Sequence, residues 1–276
     1  MIPVQVSAPP TTRRPVVTVA LAAVLVVAFV HALRLDHAPP LPYCTDLTES
    51  AQALRSSAST LQGFVCRWGA IPDDLHEGRG LVTLVTSVFI HTSWLHLVFN
   101  LAFLGAFAPR VEEDLGHVGL LGVFLGSAAL GGAAHVVLVP NLTVPSIGAS
   151  GGIAGVLGAH LLLAPLAQVR VLVGPVPVRL PTWFVLLLWV GPQLFLTGLV
   201  LRRAEYPTAV SYEVHAVGFL LGLLVAKAVL LARPDLRRWG LLQQQKRPAA
   251  TSGDVGPVRP DGRRRSGTRD GTPTVR

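Results

Sequence analysis

Residues 115–169 read LGHVGLLGVFLGSAALGGAAHVVLVPNLTVPSIGASGGIAGVLGAHLLLAPLAQV, without one Asp, Glu, Lys or Arg between Asp114 and Arg170. A bilayer core about 30 Å thick takes about 20 apolar residues per helix, so this stretch holds two spans. The break from Pro140-Asn141 to Pro145 separates them into 117–138 and 149–167. Working outward, Val16 to Leu33 carries no formal charge and is long enough to span, and further apolar blocks lie at 90–108, 182–201 and 214–232. The 276 residues are 51% hydrophobic and 14% charged, with mean hydropathy +0.54. These numbers exclude an ordinary soluble domain and predict an all-α, polytopic membrane helical bundle of six spans over residues 16–232. The first block belongs to an even array of similar blocks and no small-residue cleavage site follows it, so it reads as a retained span.

Six spans put both termini on one side. Arg13 and Arg14 precede the first span and the chain after Leu231 is thick with arginine, so the excess of basic residues near membrane ends predicts both termini in the cytoplasm. Arg110, Arg170 and Arg179 then fall on cytoplasmic turns, whereas Arg202 and Arg203 fall outside, where Glu205 and Glu213 lie nearby. Residues 1–15 form a cytoplasmic N-terminal segment, 34–80 an extracytoplasmic first loop, and 233–276 a basic, disordered cytoplasmic tail. The loop carries Cys44 and Cys66, the two cysteines of the chain, on the oxidising side where a disulfide can form. It is expected to lie apart from the chemistry described below. Ser50 to Thr60 is a polar, helix-compatible stretch suited to the membrane surface.

The net charge of +8 and pI near 10.7 raise the question of nucleic acid. The tail that carries the excess has no aromatic residue beyond Trp239 on which bases could stack, so no nucleic-acid partner is expected and anionic lipid is the better match. Lysine is limited to Lys227 and Lys246, and this arginine bias points to a GC-rich bacterial genome.

The topology brings polar groups together. The second, fourth and sixth spans begin on the same face, and their N-terminal ends carry His91, His96 and Asn100, then Ser150, then His215. Ionisable and polar groups at membrane depth are costly and mark function by default. His96 and Asn100 are four apart and share a helical face. Gly151, Gly155 and Ala159 form one stripe of small residues and Gly218, Gly222 and Ala226 another, the pattern that lets membrane helices meet backbone to backbone. Close contact of the fourth and sixth spans carries Ser150 toward His215, a nucleophile and its base. The Ser150 N–H at a helix N-terminus, with His96 and Asn100, can form an oxyanion hole. Taken singly, a serine at a helix start is most often a cap, and small-residue stripes are most often plain packing. His31, His135 and His160 read as packing or pore-side hydrogen-bonding residues.

This combination resembles the rhomboid family of intramembrane serine proteases. His91-Thr92-Ser93-Trp94-Leu95-His96-Leu97-Val98-Phe99-Asn100 is similar to the family's His-rich motif ending in His-x-x-x-Asn, and Glu112 to Gly116 resembles its Glu-x-x-x-Gly turn. Gly148-Ala149-Ser150-Gly151 matches the nucleophile motif, and His215 to Gly222 matches His-x-x-Gly-x-x-x-Gly. The resemblance runs from about Thr86 to Ala226 and implies a rhomboid-like six-transmembrane-helix fold. It implies a catalytic dyad of Ser150 as nucleophile and His215 as general base, with oxyanion stabilisation by His96, Asn100 and the Ser150 N–H. Glu112 and His91 would hold the first loop and second helix. The implied partners are transmembrane substrate proteins within a lipid bilayer; no cofactor and no metal are implied.

Three positions depart from the family pattern. Val82-Thr83 stand where a Trp-Arg pair is common, with Arg79 displaced; Ala154 stands where an aromatic ring often packs on the base; and Val214 is bulkier than the usual residue before His215. With no ring at 154, His215 is expected to be oriented by glycine-mediated helix packing, and Ala154→Phe to be tolerated. Gly148 to Gly152 also satisfies the G-x-S-x-G elbow of α/β-hydrolases, but that elbow needs a preceding strand and a parallel sheet, whereas its flanks here are spans. The alternative within the family is a non-catalytic rhomboid-like protein that binds transmembrane helices. A transporter is disfavoured by a polar cluster confined to one side.

Overall fold

The computed structural model describes residues 2–7, 13–35, 44, 60–203, 211–234 and 236. Ser50 to Ser59, Glu205 and nearly all of the basic tail lie outside the described residues. In chain order the elements are strand β1 (Ile2–Ser7) and helix α1 (Val16–Leu33), then α2 (Leu61–Trp68), α3 (Pro72–His76), α4 (Thr83–Thr86) and a 3-10 turn (Ser87–Phe89). They continue with α5 (Trp94–Leu138), α6 (Ser150–Leu163), β2 (Gln168–Val173), β3 (Val176–Pro181), α7 (Thr182–Arg203) and α8 (Tyr212–Ala232). The chain is a mostly helical, multi-pass membrane protein: α1, α5, α7 and α8 are long and apolar enough to cross a bilayer, and α6 is a shorter apolar helix.

The blocks expected at 90–108 and 117–138 form one 45-residue element, α5, broken at Gly116, where φ is 77°. Such a φ is costly for any residue with a Cβ. The neighbours of the two arms show that the chain reverses there. Gly148 abuts the His96 ring and Phe107 meets the edge of His160, so 94–115 runs alongside α6 in the same sense. Gly152 backs onto Phe124 while Gly131, further along 117–138, reaches Val214 beyond the start of α6, so the second arm runs the other way.

At the Gly116 turn, Glu112 is fully buried and its carboxylate accepts from Val17 N–H at 2.7 Å, Thr18 N–H at 2.9 Å and the Thr18 hydroxyl at 2.6 Å. No side chain caps α1 from its own N-cap residue, Pro15, so Glu112 supplies the acceptor and a negative charge for those first-turn N–H groups. His117 donates to the same carboxylate at 2.6 Å. Glu112 thus anchors α1, not the first loop as the resemblance implied.

The sequence reading assigned no strands. Residues 168–181 form a hairpin, and β1 adds to it antiparallel, giving the order β1-β2-β3. Val169 and Val171 are fully buried against the helices while Arg170 is exposed and pairs across the hairpin with Arg179. This alternation with period two is that of a half-buried strand.

Helix α6 is the centre of the bundle, with eleven of its 14 residues buried. At 1.5 Å per residue it is about 21 Å long, short of a span of about 30 Å. Its N-terminus is reached by the irregular segment 139–149, whose backbone is paired with the first loop and with the 3-10 turn that follows it: Ala70 and Ser146 exchange hydrogen bonds of 3.1 and 2.8 Å, Asp73 N–H donates to Leu142 O at 3.1 Å, and Gly148 N–H to Ser87 O of the turn at 2.9 Å. The loop therefore does not lie apart from the site; it holds the approach to Ser150. Cys44 and Cys66 are bonded to each other in it. Arg79, the displaced arginine, pairs with Asp74 at 2.8 Å on the loop's exposed surface.

Two measurements check this scaffold. Glu112→Ala leaves buried α1 N–H groups without an acceptor and should cost about 2 kcal/mol or more, read as a lowered unfolding temperature in detergent, with Glu112→Gln less affected. Non-reducing peptide mapping of the native protein should find Cys44 and Cys66 in one linked peptide, and free alkylation of either thiol without reductant would contradict the bridge.

Candidate active site

Helices α6 and α8 run parallel in contact with no side chain between their stripes. A Cβ built at Gly218 would overlap the Gly151 carbonyl oxygen, and one at Gly222 the Gly155 carbonyl oxygen. Ala159 and Ala226, the small residues that end the two stripes, are both fully buried. Since lipid offers no hydrophobic drive for helix association, contact of this kind is held by van der Waals packing, which small residues make possible.

That approach brings His215 Nε2 to 2.7 Å from Ser150 Oγ. The N-cap of α6 is Ala149 and no side chain makes a capping hydrogen bond there, so Ser150 is the first helical residue and its hydroxyl is engaged with an imidazole, not with the backbone. The Ser150 N–H belongs to the first turn, where helical N–H groups have no partner within the helix.

Gly148 has φ 111°, and a Cβ there would stand 2.5 Å from His96 Cε1. Only glycine provides both the backbone angle and the room, and the imidazole thereby lies against the backbone two residues before Ser150. Asn100 is buried, and its Nδ2 donates to His91 Nε2 at 2.8 Å. An amide NH2 has two hydrogens, so one remains for the cavity. His91 is fully buried and acts through Asn100 and the His96 ring, 4.8 Å away between centroids.

A cavity of about 640 Å3 opens between these elements, lined among others by His96, Asn100, Ser150, Trp189, Gln193 and His215. The structure thus gathers His96, Asn100, Ser150 and His215, the four side chains given chemical roles from sequence, around one cavity. It also brings in two that the sequence reading missed. Gln193 Oε1 is 2.9 Å from His215 Nδ1, and the Trp189 ring lies 5.7 Å from the imidazole, inclined at 41°. The available signal was a glutamine next to Pro192 inside an apolar span, a polar group at membrane depth that merits a functional reading.

His135 also lines the cavity and is hydrogen-bonded to Glu213, both buried. Glu213, close to Arg202 and Arg203 in the sequence, is thus engaged inside the bundle. His160 packs edge-on against Phe107 and His31 against Phe64, in keeping with packing roles. No group of three or more His, Cys, Asp or Glu able to hold a metal occurs among the described residues.

Ala154 is fully buried, and a Cβ at Gly218 would sit 3.4 Å from its methyl group. It faces α8, so a phenylalanine there would have to part the two helices; the expectation that Ala154→Phe is tolerated is corrected.

Fold and site together define a multi-pass membrane helical protein with a serine and a histidine facing each other in a cavity within the bundle. A family model described as the Rhomboid domain matches residues 78–232, more than half of the chain, and the chain belongs to the rhomboid family. It is similar to "Rhomboid protein 1, mitochondrial" of Saccharomyces cerevisiae, 29% identical over 153 residues, 54% of this chain and 43% of that protein. It is similar also to "Putative rhomboid protease YdcA" of Bacillus subtilis, 36% identical over 80 residues, 29% of this chain and 40% of that protein. "Rhomboid-like protein 11, chloroplastic" of Arabidopsis thaliana is 35% identical over 88 residues, 32% of this chain and 31% of that protein. The chain spans less than half the length of each of these relatives.

The helix contact can be tested by size. Gly222→Leu and Ala154→Phe should each lower the unfolding temperature in detergent, since overpacking a tight core costs about 1–3 kcal/mol. Gly122→Ala, where an added Cβ meets nothing within 4 Å, should not.

Proposed function

We propose that this chain is an intramembrane serine endopeptidase that cleaves transmembrane segments of membrane proteins with a Ser150–His215 dyad. The observation that carries the reading is the 2.7 Å separation of His215 Nε2 and Ser150 Oγ inside a cavity of the bundle. Nε2 takes the hydroxyl proton as Oγ bonds to the substrate carbonyl carbon, and the resulting oxyanion is met by the Ser150 N–H, His96 and Asn100. The imidazolium then protonates the departing amine as the C–N bond breaks. Water attacks the acyl ester, giving a proton to His215, and the imidazolium returns it to Oγ as the C–Oγ bond breaks, releasing the acid and restoring Ser150.

The length of α6 supports a site below the membrane surface, because a helix about 21 Å long that starts at the outer face would not reach the inner one. A transmembrane segment would have to unwind to present a peptide bond there, since its carbonyls are otherwise hydrogen-bonded within the helix. We place the protein in a bacterial cell membrane with six spans and both termini cytoplasmic. Arg13, Arg170 and Arg179 lie at the end of the bundle away from Ser150, whereas the Cys44–Cys66 bridge lies at the Ser150 end, a distribution that fits basic residues inside and a disulfide outside.

The test is purified protein in detergent with a transmembrane reporter. Ser150→Ala and His215→Ala should each abolish cleavage with the chain still folded, as members of one unit do. Asn100→Ala should lose on the order of tenfold to a thousandfold, as expected for one oxyanion donor among several. A folded parent that binds the reporter without Ser150-dependent cleavage would favour the non-catalytic, helix-binding reading.

A further inference from the structure

An imidazole serves as a general base through Nε2 only when its single proton sits on Nδ1. A dyad supplies no third group to enforce this, and the acidic side chain closest in sequence to His215, Glu213, is hydrogen-bonded to His135. Yet His215 Nδ1 lies 2.9 Å from Gln193 Oε1, an atom that can only accept. The pairing requires Nδ1–H, which leaves the Nε2 lone pair for the Ser150 hydroxyl at 2.7 Å. The opposite rotamer of the amide would present NH2 to Nδ1, force the proton onto Nε2, and make His215 a donor to Ser150.

Trp189 precedes Gln193 by four residues, so the two side chains share one face of α7. Its ring sits 5.7 Å from the imidazole, inclined at 41°. One helix thus delivers an acceptor to the edge of His215 and an aromatic surface to its face. That is the surface the aromatic residue absent at Ala154 would have been expected to offer.

Building on the proposed dyad, we infer that Gln193 and Trp189 are positioning residues for His215: Gln193 fixes the imidazole tautomer through Oε1 and Trp189 limits its rotation. After proton transfer, Nδ1–H remains hydrogen-bonded to the Gln193 carbonyl dipole, which also favours the imidazolium that the mechanism transiently forms.

The test reads the tautomer directly, by 15N NMR of the full chain carrying 15N-labelled histidine in detergent micelles. The His215 signal is assigned by its loss in His215→Asn. The parent should show His215 with its proton on Nδ1. Gln193→Leu should abolish that preference, and Gln193→Glu, which keeps an acceptor at the same place, should retain it. On a transmembrane reporter, Gln193→Leu should lower kcat by about tenfold to a hundredfold, part of what a general base contributes, with KM within about twofold; Gln193→Glu should recover most of kcat, and Trp189→Leu should give a smaller loss in kcat. If Gln193→Leu fails to fold, Gln193→Met, unbranched and of glutamine's length, reads the same change. A parent His215 protonated on Nε2, or a tautomer and kcat unmoved by Gln193→Leu, would overturn the inference while leaving Ser150-dependent cleavage intact. A parent that cleaves nothing yet shows the Nδ1 proton and its loss in Gln193→Leu would uphold the positioning role and sink the protease reading.

Discussion

The contact between α6 and α8 is the constraint on which the rest of the structure depends. At Gly155 and Gly222 one helix's carbonyl oxygen occupies the space that a Cβ on the other would need. No side chain can buffer this interface, so the axial register of the two helices is set by backbone against backbone. That register puts the first residue of α6 level with the fourth of α8, and a hydroxyl meets an imidazole at 2.7 Å. A dyad carried on long, freely rotating side chains would lose conformational entropy on each encounter. Here a short serine and a buried histidine are brought together by the scaffold.

The same contact creates a problem that the first loop solves. A short, central α6 obliges the chain to enter the bundle as the irregular segment 139–149, and free backbone groups at membrane depth are tolerated only when paired or facing water. Ala70, Asp73 and Ser87 supply those partners. The loop is tied at its other end by the Cys44–Cys66 bridge and folds back on itself where the Thr86 hydroxyl donates to Trp68 O. Support for the nucleophile therefore begins more than 60 residues before it in sequence, in a part of the chain with no chemistry of its own.

What could be read from sequence followed the strength of each local signal. Spans were legible because lipid demands long apolar runs, and the glycine stripes were legible because close contact demands small residues at spacing four. Polar residues at membrane depth marked Ser150, His215, His96 and Asn100 because so few alternatives exist in such segments. The hairpin of 168–181 was hidden by its position between spans, although Val169, Arg170 and Val171 alternate as a half-buried strand does. Glu112 was recognised as structural but its partner was not, since nothing local says that a carboxylate in one turn caps a helix almost a hundred residues earlier. Gln193 was missed for a related reason: its meaning lies in which face of α7 meets α8, and a span of nearly uniform apolarity carries no periodicity from which to read a face.

Ala154 shows how one position serves two demands that conflict. One turn into α6, four residues after Ser150, a ring would be well placed to cover the imidazole, but in this chain the side chain at 154 faces α8 beside Gly218, where the helices are too close to admit one. Tight packing and a ring from α6 are mutually exclusive here. The aromatic surface comes instead from Trp189 on α7, the least buried of the four long helices. Because Gln193 comes from the same helix, both restraints on the imidazole depend on the docking of α7, while the Ser150–His215 distance depends on α6 and α8. Position and orientation of the base are thus set by different helix contacts, so damage to one need not disturb the other: a chain with α6 and α8 in native register can still carry a histidine in the wrong tautomer.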